Sequence, residues 1–200
     1  MIKIIILLIS SVLYYKISQT PNKTTSNDAV KEVVPQIGYF LGPLWLIFVF
    51  VAYSYIYYSF DIVEWDYIEV FGCVLTIASS LIRLWTYQTL GRLFTFDLAI
   101  RSQHKLITVG PYKYVRHPSY TALILSTLGY SLYVYKVARM VLDLLGITNI
   151  SFIFCIFAPT IFITCFILIR IPKEEDMLQM EFKNKWIRYK NTTWRLIPFY

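Results

Sequence analysis

The sequence predicts an all-α integral membrane protein with about five transmembrane helices, each needing ~20 mostly apolar residues to cross the hydrocarbon core. Three observations carry that prediction. The chain is 57% hydrophobic and 18% aromatic but only 16% charged, whereas an ordinary soluble domain carries roughly 25% charged residues. Its apolar residues come in long runs, separated by polar connections that hold prolines, lysines and arginines. The net charge of +7 comes from basic residues flanking the apolar runs, which is the pattern of cytoplasmic loops and argues against nucleic acid as a partner.

Residues 1–18 are apolar but short, with Lys3 near the start. Hydropathy reads such a stretch either as a signal peptide or as a first transmembrane helix. Tyr14, Tyr15 and Lys16 make a poor small-residue cleavage site, which favours a retained helix. Residues 19–36 are polar, are broken by Pro21 and Pro35, and read as a loop. A second span covers 37–60, with Tyr53, Tyr55, Tyr57 and Tyr58 crowding one end as an interfacial belt would. Asp61, Glu64 and Asp66 make an acidic turn before a third span, 67–90, in which Arg83 is expected to snorkel to the interface.

The longest polar connection, 91–117, carries Arg92, Arg101, His104, Lys105, Lys113 and Arg116. A fourth span follows at 118–136, then a turn with Arg139 and Asp143, then a fifth span at 147–169. Cys73, Cys155 and Cys165 all lie inside apolar runs and read as packing residues, with no disulfide set or metal site implied. The expected organisation is therefore an N-terminal set of three transmembrane helices over 1–90, the first of them open as above, and a second half over 91–200.

The tail differs in kind. Pro172 suits the first turn of a new helix, and Glu174, Glu175 and Asp176 sit where the helix dipole favours anions. Leu178, Phe182, Trp186 and Tyr189 recur at helical spacing as one apolar stripe on a charged helix. Such a helix lies on the membrane surface or caps the bundle. Their shared excess of Lys and Arg puts the long loop and the tail on the same, cytoplasmic side. The Asn191-Thr192-Thr193 sequon then faces the cytoplasm, where it would not be glycosylated.

Two polar stretches stand out at the mouths of the apolar runs. The first, 110–120, reads GPYKYVRHPSY; Pro118 fixes its own φ and biases His117 away from helix, so a helix starts there with Arg116 and His117 at its mouth. The second is Arg170-Ile171-Pro172-Lys173-Glu174-Glu175. Taken singly, either is a positive-inside flank or a set of helix-terminus charges. A membrane scaffold whose charged ends only anchor it would not explain why His117 and Glu174 both sit at helix mouths on the same side.

Together they resemble a family. The pattern HxLITxGPYxxxRHPSY over 104–120, the carboxylates after a helical hairpin, and the closing Phe182, Trp186, Tyr189 and Pro198 are similar to the isoprenylcysteine carboxyl methyltransferases. The likeness covers about 90–198. It implies a membrane core of five helices whose C-terminal amphipathic helix closes a cytosol-facing pocket for S-adenosylmethionine, with 91–200 as the catalytic half. It further implies that His104, Lys105, Leu106 and Ile107 line that pocket, that Tyr112 contacts the cofactor, and that His117, Pro118, Ser119 and Tyr120 are the family's cofactor-binding HPSY. Glu174 would hold the cofactor and Arg170 would meet the substrate, with Arg170 and His117 as the catalytic pair. Ala122 stands where a glycine often follows that HPSY. The implied partners are prenylated protein C-termini or prenylcysteine and the lipid bilayer, and the implied location is the endoplasmic reticulum membrane.

The chemistry expected there is simple. A prenylcysteine carboxylate is already ionised at neutral pH, so it needs no general base to attack a sulfonium methyl. Position and a water-poor site can do most of the work. Arg170 can hold the carboxylate as a planar fork. An amine substrate, as in phospholipid methylation, would instead need a route for its proton, with His117 or Glu175 as candidates.

Overall fold

The computed structural model describes residues 2–19, 22, 28–32, 66–101, 104–146 and 149–196, with a few positions between 51 and 59. These residues are mostly helical: α1 (Ile2–Ser18), α2 (Tyr67–Leu90), α3 (Pro118–Tyr133), α4 (Tyr135–Leu144), α5 (Asn149–Phe182) and α6 (Asn184–Thr192). The fold is not all-α. Within the expected loop 19–36, β1 (Ala29–Glu32) pairs antiparallel with β2 (Leu98–Ile100), Ala29 opposite Ile100 and Val30 opposite Ala99. Four- and three-residue strands are too short to show a period in sequence, and their hydrogen bonds come from a partner far away in the chain. Asn22 helps to seat that connection by donating from Nδ2 to the carbonyls of Gly91 and Phe94, both at 2.9 Å.

α2 starts where the acidic turn ends. Asp66 is its N-cap: Oδ1 accepts from Glu69 N at 2.8 Å while Glu69 Oε2 accepts from Asp66 N at 3.3 Å, a closed capping box. A short 3₁₀ turn, Gly91–Leu93, extends it. Among the described residues, this helix, Tyr67–Leu93, is long and apolar enough to cross a membrane. The expected second span, 37–60, lies outside the described residues apart from the few positions above. The fourth expected span is divided at Val134 between α3 and α4, and the fifth is the first part of α5.

α2 and α3 pack at backbone distance. A Cβ on Gly72 would stand 2.6 Å from Tyr133 N, and one on Gly129 would stand 2.7 Å from Thr76 N. Small residues permit this approach, which gains van der Waals contact where no hydrophobic effect separates helix from lipid. α1 lies across both helices. Its Tyr14 and Ser11 hydroxyls meet Thr127 Oγ1 at 3.1 Å and Tyr130 OH at 3.3 Å. Its Lys3 ammonium is buried 3.1 Å from Glu69 Oε2.

Two expectations are corrected. Arg83 does not snorkel. It is 2% exposed, and its Nε donates to Ile17 O at 2.9 Å and Tyr87 OH at 2.8 Å while Nη1 donates to Ser119 O at 2.6 Å. Carbonyls from two neighbouring helices reach it before water could. Nor does a new helix begin at Pro172: α5 runs without a break from Asn149 to Phe182, with Pro159 and Pro172 inside it. The lost backbone bond at Pro172 is offset by burial of its neighbours Ile167 and Ile171, which pack with Leu196 in one core cluster. The chain turns instead at Lys183, whose φ is 48°. The predicted stripe is therefore split, Leu178 and Phe182 on α5 and Trp186 and Tyr189 on α6.

The α2–α3 seam leaves no room for a side chain. Gly129→Ala is expected to destabilise the protein by about 1–3 kcal/mol through overpacking, read as a lower thermal unfolding midpoint in detergent. An unchanged midpoint would mean that the helices do not approach this closely.

Candidate functional site

The loop before α3 and the chain after α6 are zipped together by main-chain bonds. Gly110, at φ +61°, opens a 3₁₀ turn, Gly110–Lys113, in a conformation that L side chains rarely adopt, and lies against Thr89 of α2. Val115 then bridges Trp194 in parallel. Arg116 N donates to Trp194 O at 2.7 Å, His117 N to Arg195 O at 3.0 Å, and Thr121 Oγ1 to Leu196 O. Pro118 is the first residue of α3, as its fixed φ predicts.

Side chains complete the closure around Glu175, which is 3% exposed. Its Oε1 accepts from Arg116 Nε at 3.0 Å and lies 3.3 Å from His117 Nε2. Its Oε2 accepts from Arg195 Nη2 at 3.1 Å and lies 3.6 Å from Lys190 Nζ. Burial alone would raise this carboxyl, but the hydrogen bonds from His117 and Arg195 and the charge of Arg116 overcome it and hold Glu175 well below the usual carboxylate range.

On the same helix, Arg170 and Glu174, four residues apart, share a face because α5 is continuous. Tyr120 OH links them, accepting from Arg170 Nε at 2.7 Å and donating to Glu174 Oε2 at 2.6 Å. Arg170 Nη2 also donates to Phe96 O. The His117 ring stacks on Tyr120 with centroids 5.5 Å apart. His117 Nδ1 stands 3.8 Å from Glu174 Oε1.

These groups border a cavity of about 280 Å³. Among the residues singled out in the sequence, His104, Lys105, Leu106, Ile107, Tyr112, His117, Ser119, Tyr120, Arg170 and Glu174 all line it. Pro118 does not; it is buried behind the lining as a backbone device. Leu123, Ile163, Phe166 and Ile167 supply an apolar wall, and Trp186 and Tyr189 reach it from α6. Tyr189 OH donates to Tyr112 O at 2.7 Å, tying α6 to the loop. His104 Nδ1 accepts from Arg101 N at 3.3 Å. Burial pushes the His104 imidazole down, with Glu181 opposing and Arg101 assisting.

Sequence reasoning missed Arg83 and Phe96 of this lining and set two carboxylates differently. Glu174, expected to be a first-turn residue, lies in mid-helix, and Glu175 is the carboxylate that engages His117 more closely. Arg83 lines the cavity too; an ionisable residue inside an apolar span was the available signal. Phe96 could not have been found, because its role rests on its carbonyl.

The fold and site define a class: a mostly helical membrane protein whose cavity joins an apolar wall to an arginine and a carboxylate. The sequence profile of the isoprenylcysteine carboxyl methyltransferase (ICMT) family matches residues 71–180, more than half of the chain. The chain belongs to that family. It is 29% identical over 135 residues to protein-S-isoprenylcysteine O-methyltransferase B of Arabidopsis thaliana, covering 66% of this chain and 60% of that protein. It is 28% identical over 141 residues to a probable protein-S-isoprenylcysteine O-methyltransferase of Oryza sativa subsp. indica, covering 70% and 65%. It is 26% identical over 180 residues to protein-S-isoprenylcysteine O-methyltransferase of Dictyostelium discoideum, covering 89% and 67%. The chain thus spans about 60% of the first relative's length.

Because the Glu175 carboxyl is held low in the folded state, its contribution to stability is present above the ordinary value near 4.5 and is lost as pH falls below it. Glu175→Gln should cost roughly 1–3 kcal/mol at pH 7, by leaving buried donors poorly paired. It should also flatten the acid-side fall in thermal stability seen with the wild type. Equal acid slopes in the two proteins would show that this carboxylate is not the clamp.

Proposed function

We propose that this protein transfers a methyl group from S-adenosylmethionine to the C-terminal carboxylate of a prenylated cysteine, giving a methyl ester. The observation that carries the reading is the cavity itself: an arginine and a carboxylate joined through one tyrosine hydroxyl, beside an apolar wall. A prenylcysteine has that duality, a planar anion on a long apolar chain. Family membership and the printed names of the relatives support the same reaction.

The residues present fit a bound methyl donor. Ser119 Oγ and Trp186 Nε1 are buried, line the cavity, and have no hydrogen-bond partner among the described residues. A ligand rich in acceptors would satisfy both, as buried polar groups require. The donor supplies an electrophilic methyl on a sulfonium. In this reading Glu174 offers its carboxylate to the donor's polar end, and His104, Lys105, Leu106, Ile107, Tyr112, His117, Ser119 and Tyr120 wall it, while Pro118 starts the helix that presents them. Arg170 grips the substrate carboxylate; its Nε is already committed to Tyr120 and its Nη2 to Phe96 O, which fixes the guanidinium plane before substrate arrives. His117 acts by orientation, stacked on Tyr120 and held by Glu175. α6 closes the cavity through Trp186 and Tyr189, and residues 91–200 form the catalytic half. The loop and tail face the cytosol, the rest spans the bilayer about five times at roughly 20 residues per crossing, and the membrane is that of the endoplasmic reticulum.

Methylation of a phospholipid amine is the second reading, and the Glu175 carboxyl speaks against it. Such a substrate must lose a proton, and a carboxylate held well below its usual range by its cationic partners is a weak base.

Membranes incubated with methyl-labelled S-adenosylmethionine and a farnesylcysteine analogue should yield base-labile label. Base-stable label on phosphatidylethanolamine instead would establish the lipid-amine reaction. Within the ester reading, Arg170→Lys keeps the charge and removes the fork. It is expected to insert normally, to bind the methyl donor nearly as well, and to lose about tenfold to a hundredfold in turnover, the effect of one charge-assisted hydrogen bond felt in the transition state. Full turnover would remove Arg170 from the site.

A further inference from the structure

Arg83 is the one cavity-lining cation whose setting the proposed reaction does not explain. It is 2% exposed in the middle of an apolar helix. Two main-chain carbonyls and one phenol take its Nε and Nη1, and the Tyr87 and Phe96 rings flank it with centroids 5.5 and 5.7 Å from Cζ. These partners carry only partial charge. Among the described residues, no carboxylate comes within ion-pair distance of Arg83 and nothing accepts from its Nη2. A buried cation without an anion is costly, and in proteins such a charge is normally paired or meets a ligand.

The residue that receives its Nη1 is Ser119, and the Ser119 hydroxyl is itself buried, lines the same cavity and lacks a partner. Arg83 is thus tied by a 2.6 Å bond to the main-chain carbonyl of the residue whose hydroxyl has no partner among the described residues, and both residues line the same cavity. Arg170 comes to the cavity from another helix, α5, and the two arginines meet different parts of Phe96, Arg170 Nη2 its carbonyl and Arg83 its ring.

We propose that Arg83 and Ser119 form a second carboxylate subsite, separate from Arg170. This rests on the methyl-transfer reading, in which two carboxylates enter the cavity: that of the prenylcysteine and the α-carboxylate of the methyl donor. Arg83 pairs with the one Arg170 does not hold. Its bonds to Ile17 O at the end of α1 and to Ser119 O at the start of α3 fix the fork in advance, so little ordering remains when the anion binds.

The test measures binding by the full chain in detergent. S-adenosylhomocysteine is compared with its decarboxylated analogue, and a farnesylcysteine carboxylate with its methyl ester. Wild type should prefer the carboxylate form in each pair by about ten- to a hundredfold, the range of a hydrogen bond to a charged group. Arg83→Lys and Ser119→Ala should each shrink that preference for one pair only, weakening the carboxylate form more than its carboxylate-free partner. Loss confined to the homocysteine pair assigns the subsite to the methyl donor; loss confined to the farnesylcysteine pair assigns it to the substrate. Unaltered preference in both pairs overturns the subsite, and so does equal weakening of both members of a pair, which would make Arg83 a structural tie. If wild type binds none of the four compounds, the methyl-transfer reading falls first. Ser119→Ala removes a hydroxyl that bonds nothing among the described residues, so it keeps the test open should the lysine variant fail to fold.

Discussion

The buried Glu175 carboxylate among Arg116, His117, Lys190 and Arg195 is the contact on which the site depends. Glu175 lies 59 residues from Arg116 in the chain, and Arg195 lies a further 20 beyond Glu175. Closing loops of that length carries an entropic cost that no short-range propensity can offset. One carboxylate shared among several cations can offset it, because burial strengthens each pairing once the geometry is complete. The parallel bridge between Val115 and Trp194 adds main-chain bonds to the same closure.

Around that clamp the polar groups fall into two layers. The outer layer, Glu175 and its cations, is satisfied within the protein and holds the loop, α5 and the tail in register. The inner layer is only partly satisfied: Arg170 and Glu174 share one phenol, and Ser119 and Trp186 have unspent donors. A satisfied outer layer lets an inner one remain open to a ligand without the fold collapsing to fill it. The small-residue seam at Gly72 and Gly129 serves the same end. It fixes α2 against α3 by backbone contact, so that Arg83 and Ser119 meet in a single geometry.

Membership in the ICMT family agrees with this division. The matched stretch, 71–180, includes most of α2, the loop, α3, α4 and the part of α5 that carries Arg170 and Glu174. It stops before α6 and the zipped tail. Trp186 and Tyr189, which reach the cavity from α6, follow that stretch.

The sequence by itself determined the apolar character and the helix that begins at Pro118, because these follow from composition and a fixed φ; ten of the residues that the family resemblance singled out line one cavity. It also marked 110–120 and 170–175 as the two polar stretches at the mouths of apolar runs. Only tertiary structure decided the rest. Pro172 is a helix starter by local preference, yet burial of Ile167 and Ile171 carries α5 through it. That continuity sets Arg170 and Glu174 on one face and turns Glu175 toward His117. Arg83 has the side chain of a snorkeler, but the carbonyls of Ile17 and Ser119 capture it first. The strands at 29–32 and 98–100 have no local signal, since each exists through the other. Each of these outcomes depends on atoms tens of residues apart, and no window along the chain contains both partners.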